Sequence, residues 1–169
     1  SSAALAAQAA PILLDFEGIG DSNPVGNFYA AQGITFSPDT LALVDSDAGG
    51  MGNFANETSG DTVMFFLNST NAILNMAAGF SSEFSFFNSS STAATVRVYD
   101  GLNGAGNVLG SVNLVSQFGD LCGGDPTGLF CNWSNVSLTF AGIAKSIDFG
   151  GTANQTAFDN ISIGGATPG

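Results

Sequence analysis

The chain contains no histidine and, among 169 residues, only two cationic side chains, Arg97 and Lys145. Without imidazole it lacks the usual general base, the serine–histidine and cysteine–histidine nucleophile systems, and the commonest zinc ligand. The net charge is −12. No basic surface is available to neutralise phosphates, which excludes nucleic acid as a partner, and an anionic membrane would repel the protein as well. No apolar run is long enough to span a membrane. Charge of either sign is scarce, at 9% of residues, so Ser, Thr, Asn and Gly supply the polarity instead.

Cysteine is nearly absent too. Cys122 and Cys131 lie close together in a Gly/Pro loop, which points to a local disulfide and an oxidising compartment. A bridge closing so short a loop contributes about 2–3 kcal/mol. The alternative is a pair of reduced thiols.

What the chain does have is apolar mass: 44% hydrophobic residues and fifteen Phe, enough to build one domain with a sizeable core and to argue against disorder. Helical periodicity is weak after residue 10. Short apolar runs recur instead, separated by Gly, Asn, Asp and Pro. They predict strands over 12–17, 34–37, 41–44, 62–67, 72–76, 83–88, 95–99, 108–115, 135–140, 145–149 and 157–163. In 95–99, Val96 and Val98 face one way and Arg97 the other; 83–86 and 136–140 alternate likewise, as sheets with one wet face require. The Gly-rich stretch 100–107 joins two such strands as a hairpin turn. About ten antiparallel strands with regular turns predict an all-β, jelly-roll-like β-sandwich over residues 11–164, with no repeat and no second domain. Residues 165–169 read as a C-terminal linker.

Residues 1–10 are Ala-rich, and Ala7-Gln8-Ala9 has the form expected before a leader-peptide cleavage site. The same stretch has a second reading. From Ala3 to Leu14 the chain is apolar and uncharged, with Leu5, Ile12, Leu13 and Leu14 as its large side chains. Laid along the open edge of a neighbouring subunit, it would donate a strand. Repeated head to tail, that contact gives a homopolymeric filament. The alternatives are that the segment folds back on its own domain or forms a short helix.

Four segments together, Asp15-Phe16-Glu17-Gly18, Gly33-Ile34-Thr35-Phe36-Ser37, Ala94-Thr95-Val96-Arg97-Val98-Tyr99-Asp100-Gly101 and Ala157-Phe158-Asp159-Asn160-Ile161-Ser162-Ile163, resemble the secreted β-sandwich domains of bacterial PEP-CTERM sorting-signal proteins. The resemblance covers residues 11–163 and rests on the order of these loose motifs. It implies export to the bacterial surface or beyond, in exopolysaccharide-producing bacteria. The sequence departs from the family in ending at Ala166-Thr167-Pro168-Gly169, without a Pro-Glu-Pro motif. The family implies no particular activity.

Fourteen carboxylates with almost no counter-charge invite calcium, a hard cation that takes oxygen ligands; the alternative is that acidity merely keeps an apolar protein soluble. First and last strands of a jelly roll often lie side by side, which would bring Asp15 and Glu17 near Asp159 and Asn160. Asp45-Ser46-Asp47 opens like a calcium loop but lacks an oxygen ligand at Gly49, so it reads first as an ordinary acidic turn, with a calcium loop using Asp45, Asp47 and Asp61 as the alternative. Trp133 and Tyr99 are candidates for stacking on sugar rings; packing of Trp133 against the disulfide is the alternative. Seven Asn-x-Ser/Thr sequons occur, of which Asn68 and Asn88 are the candidates for exposed glycosylation sites. Two carboxylates about 5 Å or 6.5–9.5 Å apart would suffice for glycoside hydrolysis, but nothing selects a pair. The sequence therefore describes a non-enzymatic secreted matrix or filament subunit. Its alternative is a calcium-supported carbohydrate-binding surface module with extracellular polysaccharide as partner.

Overall fold

The computed structural model describes residues 11–54, 60–117 and 130–164. Among the described residues nine strands form: β1 (Ile12–Leu14), β2 (Ile34–Phe36), β3 (Thr40–Val44), β4 (Thr62–Phe66), β5 (Asn71–Ser90), β6 (Ala94–Tyr99), β7 (Val108–Leu114), β8 (Ser134–Gly150) and β9 (Thr156–Ile163). All pair antiparallel in one continuous hydrogen-bonded sheet ordered β3-β4-β9-β5-β8-β6-β7, with β1 added to β9 and β2 to β5. No helix among the described residues is long and apolar enough to cross a membrane.

A single sheet becomes a sandwich because its central ribbon folds over. In β5 and β8, Ala72 lies opposite Phe149 and Phe86 opposite Val136. Along a straight strand the fourteen residues from Ala72 to Phe86 would span roughly 46 Å. Yet the rings of Phe86 and Phe149 are 5.5 Å apart. The ribbon doubles back where its register shifts between Asn75 and Ser82, with Gly79, Ser82 and Gly142 all at positive φ (85°, 80° and 92°). One layer is β2, the first half of β5, the second half of β8, β6 and β7. The other is the first half of β8, the second half of β5, β9, then β1 and β4 side by side, and β3.

The predicted strand pairs 72–76 with 83–88, and 135–140 with 145–149, are thus single strands interrupted by bulges. Residues 77–82 and 141–143 look like turns by composition, but they keep the two strands paired around the bend.

Phenylalanine fills the space between the layers. Phe84, Phe86, Phe149 and Phe158 are fully buried and meet edge-on or stacked, with centroids 5.0–6.4 Å apart. Burying each such ring contributes about 2–3 kcal/mol, with roughly 0.5–1.5 kcal/mol more per well-oriented pair. Val96 and Val98 point into this core while Arg97 is exposed, as the alternation of β6 predicts. β4 is buried at every residue, because a second cluster of Phe54, Val63, Phe130 and Ala157, joined by Leu43 and Trp133, covers its outer side.

The first strand corrects the assembly-strand reading in part. Ile12, Leu13 and Leu14 pair with Ile163, Ser162 and Ile161 of the same chain, and Leu14 is fully buried in the core. These residues fold back on their own domain, because the apolar side chains find a dry place one strand away. Leu5 and Cys122 lie outside the described residues.

Candidate functional site

β1 and β9 do run side by side, and the pairing of Leu14 with Ile161 brings Asp15 and Glu17 to the neighbourhood of Asp159 and Asn160. Hydrogen bonds to backbone occupy these side chains. Glu17 accepts the N–H of Asp61 on Oε1 at 3.1 Å and that of Thr62 on Oε2 at 2.9 Å. Asp15 Oδ1 accepts the N–H of Glu17 at 3.1 Å, and Asp159, fully buried, accepts the N–H of Asn160 at 2.8 Å. The Tyr29 hydroxyl accepts the N–H of Phe16 at 2.7 Å, a residue at φ 64°. Burial pushes that hydroxyl up to about 12, opposed by the Phe16 hydrogen bond and assisted by the charges of Asp15, Asp159 and Glu17. The cluster fixes the start of the chain to the 60–62 segment. Among the described residues no group of three or more acidic or cysteine side chains converges as a cage for a metal ion, and the residues proposed for calcium do not form one.

Asp45 and Asp47 serve a turn. Asp45 caps the 3-10 turn Ser46–Ala48, its Oδ1 accepting the N–H of Asp47 at 3.1 Å. Asp21 braces the same loop, accepting the N–H of Val44 at 2.9 Å and that of Met51 at 3.3 Å. Asx side chains commonly take such roles in turns.

The aromatic candidates separate from one another. Trp133 packs edge-on against Phe54, with centroids 6.3 Å apart, in the second cluster. Tyr99 is half-buried beneath the 100–107 hairpin; a methyl group on Gly104 would touch its ring at 3.8 Å. Asn68 is exposed. Asn88 corrects the glycosylation reading: it is 1% exposed, because it continues the inward phase of Phe84 and Phe86 along β5, and a buried amide cannot be reached by a transferase.

A recess lies on the outer face of the β2-β5-β8-β6-β7 layer. It encloses about 320 Å³ between Gly33, Thr35, Asn75, Ala77, Leu102 and Asn103, within the size range of ligand sites. Its wall is the 3-10 turn Leu102–Gly104. Asp100 accepts the backbone N–H of Asn107 at 2.7 Å and its side-chain amide at 3.0 Å. These two bonds hold the Asp100 carboxyl below the usual range. Ser146 donates to the carbonyl of Gly101 at 2.6 Å and accepts the N–H of Gly104 at 3.0 Å. The turn is therefore clamped to the sheet at both ends. Asn75 and Asn103 meet across the recess: Asn75 Nδ2 donates to Asn103 Oδ1 at 2.9 Å, and the Asn103 N–H donates to Asn75 Oδ1 at 2.7 Å.

None of the side chains lining this recess titrates. Its remaining donor and acceptor capacity is neutral, and Leu102, 40% exposed, adds an apolar edge. Sequence reasoning found the hairpin but missed Thr35, Asn75, Leu102 and Asn103. The available signal was the Asn-rich turn on a strand's wet face.

Neither a protein-family model nor a curated relative matches the sequence. Among solved structures, a family 6 carbohydrate-binding module is similar at 13% identity and a TM-score of 0.47, covering 90% of this chain and 92% of that one. A Clostridium stercorarium module solved with cellobiose is similar at 15% and 0.45, with the same coverage. The C-terminal family 6 module of a Zobellia galactanivorans laminarinase is similar at 14% and 0.43, covering 91% and 98%. Likeness at this level assigns no ligand to this chain.

Proposed function

We propose that the protein is a non-catalytic extracellular module that binds a neutral, hydroxyl-rich glycan in the recess between Asn75 and Leu102–Asn103. The observation that carries this reading is the recess itself: about 320 Å³ lined by amides, a threonine and an exposed leucine, with no titratable side chain. Amide groups donate and accept at once and so match a sugar hydroxyl, while the aliphatic edge suits the C–H face of a pyranose ring. The clamped turn means that little order is lost on binding. Export is part of the same proposal, supported by the cysteine pair and the resemblance to surface-sorted sandwich domains.

Affinity electrophoresis and titration calorimetry against soluble neutral and anionic polysaccharides test it. Binding to a neutral glycan is expected, with at least a tenfold loss in Asn103→Ala and little dependence on salt. Absence of binding across neutral polymers, or binding that Asn103→Ala leaves intact, overturns it.

A further inference from the structure

A second surface lies at the opposite end of the sheet order. Among the described residues β7 pairs with β6 alone, and residues 134–140 of β8 pair with β5 alone. The layer containing β7 runs two strands past β8, whereas the facing layer stops at β8. The inner face of β7 is consequently one strand short of cover. Leu109, Val112, Val136, Leu138 and Phe140 are only partly buried there against the core. Leu138 lies over Gly110, where a methyl group would meet it at 3.5 Å. Val108, Val115 and Ile143 stand 53–70% exposed along the rim.

Open edges are normally guarded by lysine, proline or an inward-pointing charge. Among the described residues this one has no such guard. Residues 101–119 and 126–144 contain no charged side chain, although the chain as a whole carries −12. Two copies of so acidic a body repel each other everywhere except at a neutral surface. Other neutral stretches of comparable length, residues 22–38, 62–82 and 84–96, belong to the folded domain, and a further one is residues 1–14, whose last three residues are committed to β1. Residues 1–10, extended, would reach roughly 33 Å, longer than the ~23 Å of a seven-residue strand such as β7.

We infer that the seam between β7 and the first half of β8 accepts residues 1–10 of a second copy as an added strand on the open edge of β8. Backbone hydrogen bonds hold the arm, and its Leu5 and alanines cover Leu138, Val112 and Leu109. Arm and seam are different surfaces of one molecule, so the contact is heterologous and repeats into a linear assembly. The seam is separate from the glycan recess, and the two proposals stand or fall independently.

Sedimentation velocity over a concentration series tests the inference on three samples: the full chain, a chain lacking residues 1–10, and the full chain with Leu138→Lys. The full chain is expected to grow in size with concentration. The truncated chain is expected to stay monomeric with an unchanged Tm. Leu138→Lys is expected to block growth, with circular dichroism confirming the fold. A synthetic peptide of residues 1–10 is expected to bind the truncated chain. A full chain that is monomeric at every concentration overturns the inference. So does a truncated chain that assembles like the full one, as direct β7-to-β7 pairing would produce. Failure of the peptide to bind the truncated chain overturns it as well.

Discussion

Asn75 and Asn103, twenty-eight residues apart, exchange two hydrogen bonds, one from side chain to side chain and one from backbone to side chain. Asn103 sits at φ 60°, a conformation asparagine tolerates better than most residues. The pair both shapes the recess and pins its wall. Asn75→Ala removes both bonds and should weaken glycan binding by one to two orders of magnitude. Because these groups are exposed, stability should fall by only about 0.5–1 kcal/mol. Calorimetry and thermal melting on the same variant separate the two effects. A loss of stability without a loss of binding would show that the pair only holds the turn.

Protonation of Asp100 addresses the same wall from a distance. Its carboxyl is held below the ordinary value of 3.8 chiefly by Asn107, so the bonds persist above that value and are lost as pH falls through the depressed one. Glycan binding should therefore be flat from neutral pH to about pH 4 and weaken below it, with the global fold, followed by circular dichroism, still intact. Asp100→Asn should shift that dependence away. An identical acid limit in the variant would place its cause elsewhere.

Much of this fold was legible from alternation alone. Val96, Val98 and Arg97 fall on the faces their spacing assigns, and the first and last strands meet as a jelly roll suggests. What alternation could not show is that 77–82 bends a strand without ending it, since Gly79 and the serines around it suit a turn equally well. The recess was illegible for a different reason. Asn75 and Asn103 become neighbours only after β5, β8 and the hairpin stack, and no local pattern records that. Asn88 was legible and overlooked: it continues the phase of Phe84 and Phe86, which outweighs the sequon.

Glu17 ties the amides of Asp61 and Thr62 to the first strand. Glu17→Ala leaves two donors without their acceptor and should cost about 1–3 kcal/mol, read as a fall in Tm. Gly60→Ala should cost a comparable amount, because a methyl group there overlaps the Glu17 carboxylate at a backbone φ of 50°. Combining the two should cost less than their sum, since both act on one contact. Strict additivity would argue that Glu17 stabilises the chain by another route.

The buried hydroxyl of Tyr29 makes stability fall in alkali. Its folded value of about 12 lies above the ordinary 10.0, so between these values the unfolded chain gives up the proton that the folded chain keeps. The stabilisation is fully present below pH 10 and is lost progressively up to about pH 12. The loss is on the order of 1–2 kcal/mol once solvent screening of the neighbouring carboxylates is allowed for. Tyr29→Phe should remove the part of the alkaline slope that Tyr29 supplies. It should also lower stability at neutral pH, because the N–H of Phe16 loses its acceptor. A Tyr29→Phe variant with an unchanged alkaline slope would show that Tyr29 does not supply it.

Among the described residues, Asn88 is a place where the core works against itself. Its side chain is 1% exposed, on the inward face that it shares with Phe84 and Phe86, and neither its Oδ1 nor its Nδ2 has a hydrogen-bond partner. A buried amide without partners costs about 1–3 kcal/mol relative to a satisfied one. Leucine has nearly the same size and shape and no polar atom to desolvate. Asn88→Leu should therefore raise stability by roughly 1–2 kcal/mol in a denaturant titration, with the slope of the transition unchanged. Asn88→Asp should do the reverse and more strongly, because it places a charge where only an amide is tolerated. If Asn88→Leu destabilises the protein instead, the amide holds a buried water that bridges it to the backbone, and the penalty falls on the polar group that leucine leaves behind.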